Sequence, residues 1–313
     1  MAAKRRYSKK KLTLPSLLAT LAVLCVVLTL GSLLPGTALP AWDDLFVAAG
    51  LAPSTTTVEG ELEVHFIDVG NADCALIRQG EHAALIDAGE KGDGSDILRY
   101  LSTHGVEKLD LVVATHPHAD HIGGMATVLA SVPVERCLMS FLPEEETPTS
   151  SVYLDMLETL DDKDIPVEEA AAGDTYALGE ATLQVLAPLQ TDDDANAMSV
   201  VTRLTFGNRA FLFTGDTVKS VEKAMLSAGL TLRADVLKVA HHGSNTSNAE
   251  GFLRAVAPEY AFIPCGLNNA YDHPHQSVVD DLLALDAAIY RSDIHGHVVF
   301  TTDGTSLSVA TGQ

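Results

Sequence analysis

Hydrophobic and polar positions divide the chain into three regimes. An uncharged stretch runs from Leu12 to Trp42, with the apolar core "LPSLLATLAVLCVVLTLGSLL". A polar stretch without apolar periodicity, "APSTTTVEG", follows. From Glu61 onward short apolar runs are closed by Gly or polar turns: "ELEVHFIDVG", "CALIRQ" and "AALIDAG" read as three successive strands, an antiparallel start. Helical and strand patterns then alternate, with "GSDILRYLSTHG" as a helix, "KLDLVVAT" as a strand, Ile122 to Ser131 as a helix and "VERCLMS" as a strand. Past the loop "LPEEETPTS" come a helix in "SVYLDMLETLDDKD" and the strands "ATLQVLAP", "SVVTRLTFG" and "RAFLFTGD". Three helices, near Val218 to Ala228, Asn248 to Val256 and Gln276 to Leu285, are interleaved with the strands "ADVLKVA" and "YAFIPCG" and followed by "HVVFTT" and "SLSVAT". Near-continuous apolar strands of this kind need helices over their faces. The two halves share this grammar, which suits a pair of facing sheets flanked by helices.

The apolar segment is about the length that spans a bilayer. Lys4, Arg5, Arg6, Lys9, Lys10 and Lys11 precede it and are expected to stay in the cytoplasm. The expected organisation is a basic N-terminus at 1–11, a transmembrane anchor at 12–34, a stalk at 35–60 and one catalytic domain at 61–313. That places the domain outside the cytoplasm, on a single-pass protein of the cell membrane. Cleavage near Gly36 and Ala38 would instead release it as a secreted protein, but the apolar run exceeds the ~7–15 residues usual in signal peptides.

Charge narrows the partners. The chain carries a formal net charge of −22, and after Lys11 only 14 basic residues face 42 acidic ones, a balance of −28. A broad electrostatic grip on nucleic acid needs a basic face, so a phosphate-bearing substrate must be held locally. Aromatic residues make up 5% of the chain, which tilts the expected substrate toward something small or single-stranded. No protein partner is implied. Cys25, Cys74, Cys137 and Cys265 are too few and too scattered for a disulfide framework, and Cys74 and Cys265 lie in apolar runs as small core residues.

Chemistry gathers where strands end. "THPHADH" sets His116, His118, Asp120 and His121 directly after an apolar strand, on a loop entering a helix. Imidazoles and a carboxylate suit zinc, manganese or iron, and this spacing divides them two to one ion and two to a neighbour. "LKVAHHGSNTS" ends another strand with His241 and His242, and "YDHPHQS" follows a third with Asp272, His273 and His275. "FLFTGD" supplies Asp216, whose carboxylate can bridge ions held ~3.5–4 Å apart. Asp68 and Asp87 read either as groups that orient ligand imidazoles or as turn-forming residues. Ser244, Asn245 and Ser247 read as a phosphate cradle or as helix caps. Asp120 is expected to serve in catalysis as well as in ligation, and at least one of His273 and His275 to contact substrate or donate a proton to the leaving group. Lys238, inside an apolar strand, calls for an acidic partner in the site.

These motifs resemble the metallo-β-lactamase-fold hydrolases, whose H-x-H-x-D-H signature is carried by His116, His118, Asp120 and His121. Within that group "FIDVGNADCALI", "LIDAG", "THPHADHIGG", "FLFTGD", "LKVAHHGSNTS", "YDHPH" and "SDIHGHVVFTTDG" resemble, in order over about residues 61–310, the extracytoplasmic hydrolase domain of ComEC-like DNA-uptake proteins and their free-standing relatives. The resemblance implies an αββα sandwich and two divalent ions, zinc or manganese. It places His116 and His118 on the first, Asp120 and His121 on the second, Asp216 between them, and a ligand to the second from "HHGS", His242 in preference to His241. Many members add a third histidine to the first ion from the middle of the chain, and "DDDANAMSVVTRL" offers none; Asn196 and Ser199 there resemble a polar pair that ComEC-like domains place near the metals. Paired ions lower the pKa of water and polarise acyl or phosphoryl oxygens, so hydrolysis is the implied reaction. The expected function is an exported phosphodiesterase or nuclease. The alternatives are hydrolysis of a small ester or amide, such as a choline phosphoester, lactone or β-lactam, and a non-catalytic metal-binding surface protein. The last is disfavoured because structural zinc sites are usually closed and thiolate-rich.

Overall fold

The computed structural model describes residues 61–312, so the anchor expected at 12–34 and the stalk at 35–60 lie outside the described residues. Among the described residues no helix is long and apolar enough to cross a membrane. Two mixed sheets face one another. The first runs in the order β15 (Leu307–Gly312), β14 (His297–Thr302), β1 (Leu62–Phe66), β2 (Ala75–Gln79), β3 (His82–Ile86), β4 (Leu111–Ala114), β5 (Cys137–Met139) and β6 (Val167–Glu169). The second runs β13 (Ala288–Arg291), β12 (Tyr260–Ile263), β11 (Val236–Lys238), β10 (Arg209–Phe213), β9 (Val201–Phe206), β8 (Ala181–Ala187) and β7 (Thr175–Leu178).

Strand alternation decides what each face buries. In β1 and β2, Leu62, Val64, Phe66, Ala75 and Ile77 enter a core between the sheets, whereas Leu76 turns outward into a second one. The inner core is closed by aromatic rings, with Phe66 stacked on Phe262 at 4.4 Å between centroids. The outer face of the first sheet is covered by α1 (Gly94–Thr103), α3 (Met125–Ser131) and α4 (Ser151–Asp162). The outer face of the second is covered by α5 (Lys219–Ser227), α6 (Glu250–Val256) and α7 (Gln276–Leu283). Each helix shows the sheet an apolar stripe, as Ile97 and Leu101 do from α1. The result is the αββα arrangement expected of the sequence.

β3 and β4 are parallel, as are β10, β11 and β12. Their carboxyl ends therefore emerge on one edge, the usual place for functional groups in parallel sheets. The structure corrects three local expectations. The helix expected from Ile122 to Ser131 is divided: a single turn, α2 (Ala119–Ile122), precedes α3, and Gly123 and Gly124 lie between. A Cβ on Gly123 would collide with Lys91 N and one on Gly124 with Ala88 O, because both donate N–H groups to the facing loop, Gly123 to Gly89 O at 2.8 Å and Gly124 to Ala88 O at 3.1 Å. The helix expected from Asn248 begins at Glu250, because Asn248 takes a left-handed backbone (φ 62°). Strands β6, β7 and β13 were not expected, being sheet edges whose half-exposed residues lack an apolar run.

Candidate metal centre

β4 delivers Thr115 and His116 to the edge, and α2 then folds Asp120 and His121 back over it. Across the interface Asp216 lies on the turn that follows β10, β11 ends in Lys238, and the segment after β11 carries His241 and His242. One ligand atom from each of Asp120, His121, Asp216 and His242 lies within 4.8 Å of the other three. His121 Nε2 is 3.3 Å from Asp216 Oδ1, while His242 Nε2 is 3.3 Å from Asp120 Oδ2 and 3.6 Å from Asp216 Oδ2. His116 Nε2 and His118 Nδ1 face each other at 3.1 Å.

The hydrogen bonds behind the rings fix which nitrogen is free. Thr115 Oγ1 donates to Asp87 Oδ2 at 2.7 Å, leaving its lone pairs for His116 Nδ1 at 3.2 Å. Asp87 Oδ2 accepts His121 Nδ1–H at 2.7 Å, and Pro264 O accepts His242 Nδ1–H at 3.0 Å. Each partner holds the far-side ring nitrogen, Nδ1, and leaves Nε2 as the atom turned toward the cluster, the way metal-binding imidazoles are oriented. Ser199 Oγ accepts the backbone N–H of Asp216 at 3.1 Å and so holds the main chain from which that carboxylate projects.

His121 Nε2 and Asp216 Oδ1 are buried without a hydrogen-bond partner, as is Asp73 Oδ1. Buried polar atoms are rarely left so, and here they are N and O donors of the type divalent cations accept. The electrostatics agree. Burial works against a charged His121, yet Asp216, Asp87 and Asp73 raise it well above the usual imidazole range. Burial would lift the Asp216 carboxyl, but His121, His242 and Lys238 outweigh it and hold it well below the usual carboxylate range. Asp120 is likewise lowered despite burial, through its bond to His242 and the charge of His121. The cluster is a negative field closed over imidazoles, and two divalent cations suit it.

His242 thus belongs to the four-donor group. His241 sits beside it with Nε2 3.7 Å from Asp216 Oδ2 and Nδ1 3.3 Å from Thr246 Oγ1. Both residues take left-handed backbones, φ 52° and 51°, a strained conformation for non-glycine residues that turns two adjacent imidazoles toward one carboxylate. Lys238 is paired with Asp73 Oδ2 and donates to Gly215 O at 2.8 Å. The structure does not bring Asp68 to the cluster; it is exposed, and its carboxylate accepts Gly70 N–H at 3.1 Å. Asn196 and Ser199 lie on the loop whose Val200 N–H reaches Thr115 O, and Asn196 Oδ1 is buried without a partner. Ser244 is buried, with its Oγ 2.9 Å from Thr246 Oγ1. His273 is pushed down to about 4, first by burial and then by the imidazoles of His242, His241 and His275, so at neutral pH it carries no extra proton. His275 Nδ1 accepts Asn245 N–H at 3.2 Å. Asp272 is exposed.

Sequence reasoning missed Asp73, although "NADC" stands in the first quoted motif, because nothing local shows that its partner is 165 positions away in Lys238. Glu222 was missed too. Fully buried on α5, it accepts the N–H groups of Asn248 and Ala249 at 2.6 and 2.8 Å, and so pins the segment that follows His242. Burial raises its carboxyl to about 7, against the lowering by those two bonds. The folded chain therefore keeps this proton to higher pH than the unfolded chain does, and Glu222 ionisation removes stability as pH rises from about 4.5 to about 7. The loss is on the order of 3 kcal/mol. Urea unfolding at pH 5 and pH 7.5 is expected to show this fall for the chelated protein and a flatter profile for Glu222→Gln; equal slopes in the two would contradict it.

An αββα sandwich with His and Asp donors at the carboxyl ends of facing sheets defines a class of two-metal proteins. The chain belongs to the Metallo-beta-lactamase superfamily, whose family profile matches residues 67–266, and it is a metal-dependent hydrolase of that superfamily. It is 30% identical over 285 residues to Competence protein ComA of Neisseria gonorrhoeae, covering 90% of this chain and 38% of that protein. To ComE operon protein 3 of Bacillus subtilis it is 28% identical over 264 residues, covering 78% and 33% respectively. The chain thus spans about a third of the length of these relatives. Among solved structures it resembles the metallo-beta-lactamase fold protein YhfI of Bacillus subtilis, with TM-score 0.52 and 12% identity over 77% of this chain and 100% of that one. CmlA, a diiron beta-hydroxylase from Streptomyces venezuelae, shares the fold with TM-score 0.53 and 16% identity, over 82% of this chain and 55% of that one. The scaffold alone therefore does not fix the substrate.

Proposed function

We propose that the protein is an exported, membrane-anchored phosphodiesterase or nuclease that works with two divalent ions, zinc or manganese. The observation that carries it is the group Asp120, His121, Asp216 and His242 beside the pair His116 and His118. The competence relatives support the phosphodiester reading, and the basic cluster ahead of an apolar run supports the anchor and an extracytoplasmic domain. His116 and His118 would hold one ion, Asp120, His121 and His242 the other, and Asp216 both. Two such ions supply a water acidic enough to ionise near neutral pH and polarise the oxygen under attack. The chain's own residues do the rest. Asp87, Thr115 and Pro264 keep the ring protons on the far side of the imidazoles, and Ser199 holds the main chain at Asp216. Phe66, Phe213 and Phe262 line the apolar side of a small cavity that Asp73, Asp87 and Lys238 also border.

Hydrolysis of a small ester or amide is the second reading, favoured by the 14 basic residues available after Lys11. The test uses the full chain in detergent, loaded with zinc or manganese, against a chromogenic phosphodiester, single- and double-stranded DNA, a choline phosphoester and a cephalosporin. Cleavage of the diester or DNA that Asp120→Ala abolishes is the expected result. Turnover of the cephalosporin alone would replace the phosphodiester reading with the second one. Silence on every substrate from protein carrying two ions per chain would favour a non-catalytic role.

A further inference from the structure

The segment between β12 and α7 carries the two most exposed large apolar side chains among the described residues, Leu267 at 75% and Tyr271 at 67%. Single exposed apolar residues need no explanation, but Tyr271 is continuous with the metal donors. Its ring lies 5.7 Å from that of His273 with 23° between planes, and His273 lies 6.2 Å from His242 with 22° between planes. Three nearly parallel rings therefore lead from solvent to a group of the donor cluster. The segment is also clasped in place. Asn269 Oδ1 accepts the N–H groups of Tyr271 and His273 at 3.2 and 3.0 Å, and its Nδ2 donates to Gly266 O and His273 O at 3.0 and 2.6 Å. Between the outer ring and the donors, His273 Nδ1 is buried without a hydrogen-bond partner, a polar atom left for a bound group.

We propose that Tyr271 is the platform on which a nucleobase next to the scissile phosphodiester stacks, which makes the substrate a single-stranded polynucleotide. This rests on the phosphodiesterase reading and names the substrate of that same site. Stacking on an aromatic ring tolerates any base and needs no basic surface, whereas gripping a duplex works through phosphate contacts made by Lys and Arg. A chain with 14 basic against 42 acidic residues after Lys11 is suited to the first and not to the second. A duplex also keeps its base faces stacked on one another, out of reach of a fixed ring.

The test compares oligothymidylate with an oligomer of the same length whose residues are abasic, so that backbone and charge are shared and only the bases differ. With manganese-loaded full chain, Tyr271→Ala is expected to lower the ratio of kcat/KM for the thymidylate over the abasic oligomer about tenfold, through KM, while Tyr271→Phe keeps it. A second readout needs no turnover: chelated protein should quench a 2-aminopurine oligonucleotide on binding, and Tyr271→Ala should lose the quench. An unchanged ratio and quench in Tyr271→Ala would overturn the platform and leave the phosphodiesterase standing, as would a wild-type preference for duplex over single strand. Failure of the metal-loaded wild type to cleave either oligomer would overturn the phosphodiesterase reading itself.

Discussion

Asp216→Asn is expected to lower metal content from two ions per chain to one or none and to reduce hydrolysis by on the order of 10³-fold or more. The carboxylate is the point where the two halves of the donor set meet. Its Oδ1 is 3.3 Å from His121 Nε2, and its Oδ2 is 3.6 Å from His242 Nε2 and 3.7 Å from His241 Nε2. Asn matches the shape and keeps the N–H bond to Ser199, but it removes the charge and one of the two acceptor oxygens. Both ions would then share a neutral group in a site whose imidazoles bring no charge to offset the cations. Elemental analysis after exhaustive dialysis, together with kcat/KM, checks this. A variant that holds two ions and turns over like the wild type would remove Asp216 from its bridging role.

Lys238→Met is expected to cost about 3–5 kcal/mol of stability, because it strands Asp73 as a buried carboxylate without its ammonium partner. Lys238 and Asp73 are both about 95% buried, and the ammonium makes a second ion-pair contact with Asp216 at 3.7 Å. Burial would lower the Lys238 pKa, but Asp73 and Asp216 raise it, so the side chain is charged in the folded protein. In a domain of this size the loss corresponds to a fall of roughly 10 °C in Tm. Asp73→Asn combined with Lys238→Met removes both charges at once and is expected to recover most of the loss. Denaturant unfolding of the chelated single and double variants reads the difference, and a single variant as stable as wild type would mean that the pair is solvated. Metal affinity is expected to fall as well, since Asp73 would then be free to swing toward His121, 3.6 Å from its Oδ2.

The amino-acid sequence by itself determined most of the elements and the ligand vocabulary. Period-two apolar runs such as β1 and β10, and helical stripes such as α1, are local properties, since each strand or helix must show an apolar face to its neighbour. The crowding of His116, His118, Asp120 and His121 is legible for the same reason: four donors within six positions need no fold to be neighbours. The edge strands β6, β7 and β13 were not legible, because half-exposed edge residues carry no periodic apolar signal, and the break at Gly123 became visible only with the loop it packs against. What tertiary structure alone decided is who faces whom. It set Asp73 against Lys238, Asp87 behind His121, Glu222 beneath Asn248, and His242 within the four-donor group with His241 beside it. It left Asp68 at the surface and aligned Tyr271 with His273 and His242. Those contacts join residues far apart in the chain, and their energies depend on burial that exists only once two sheets have closed over a common edge.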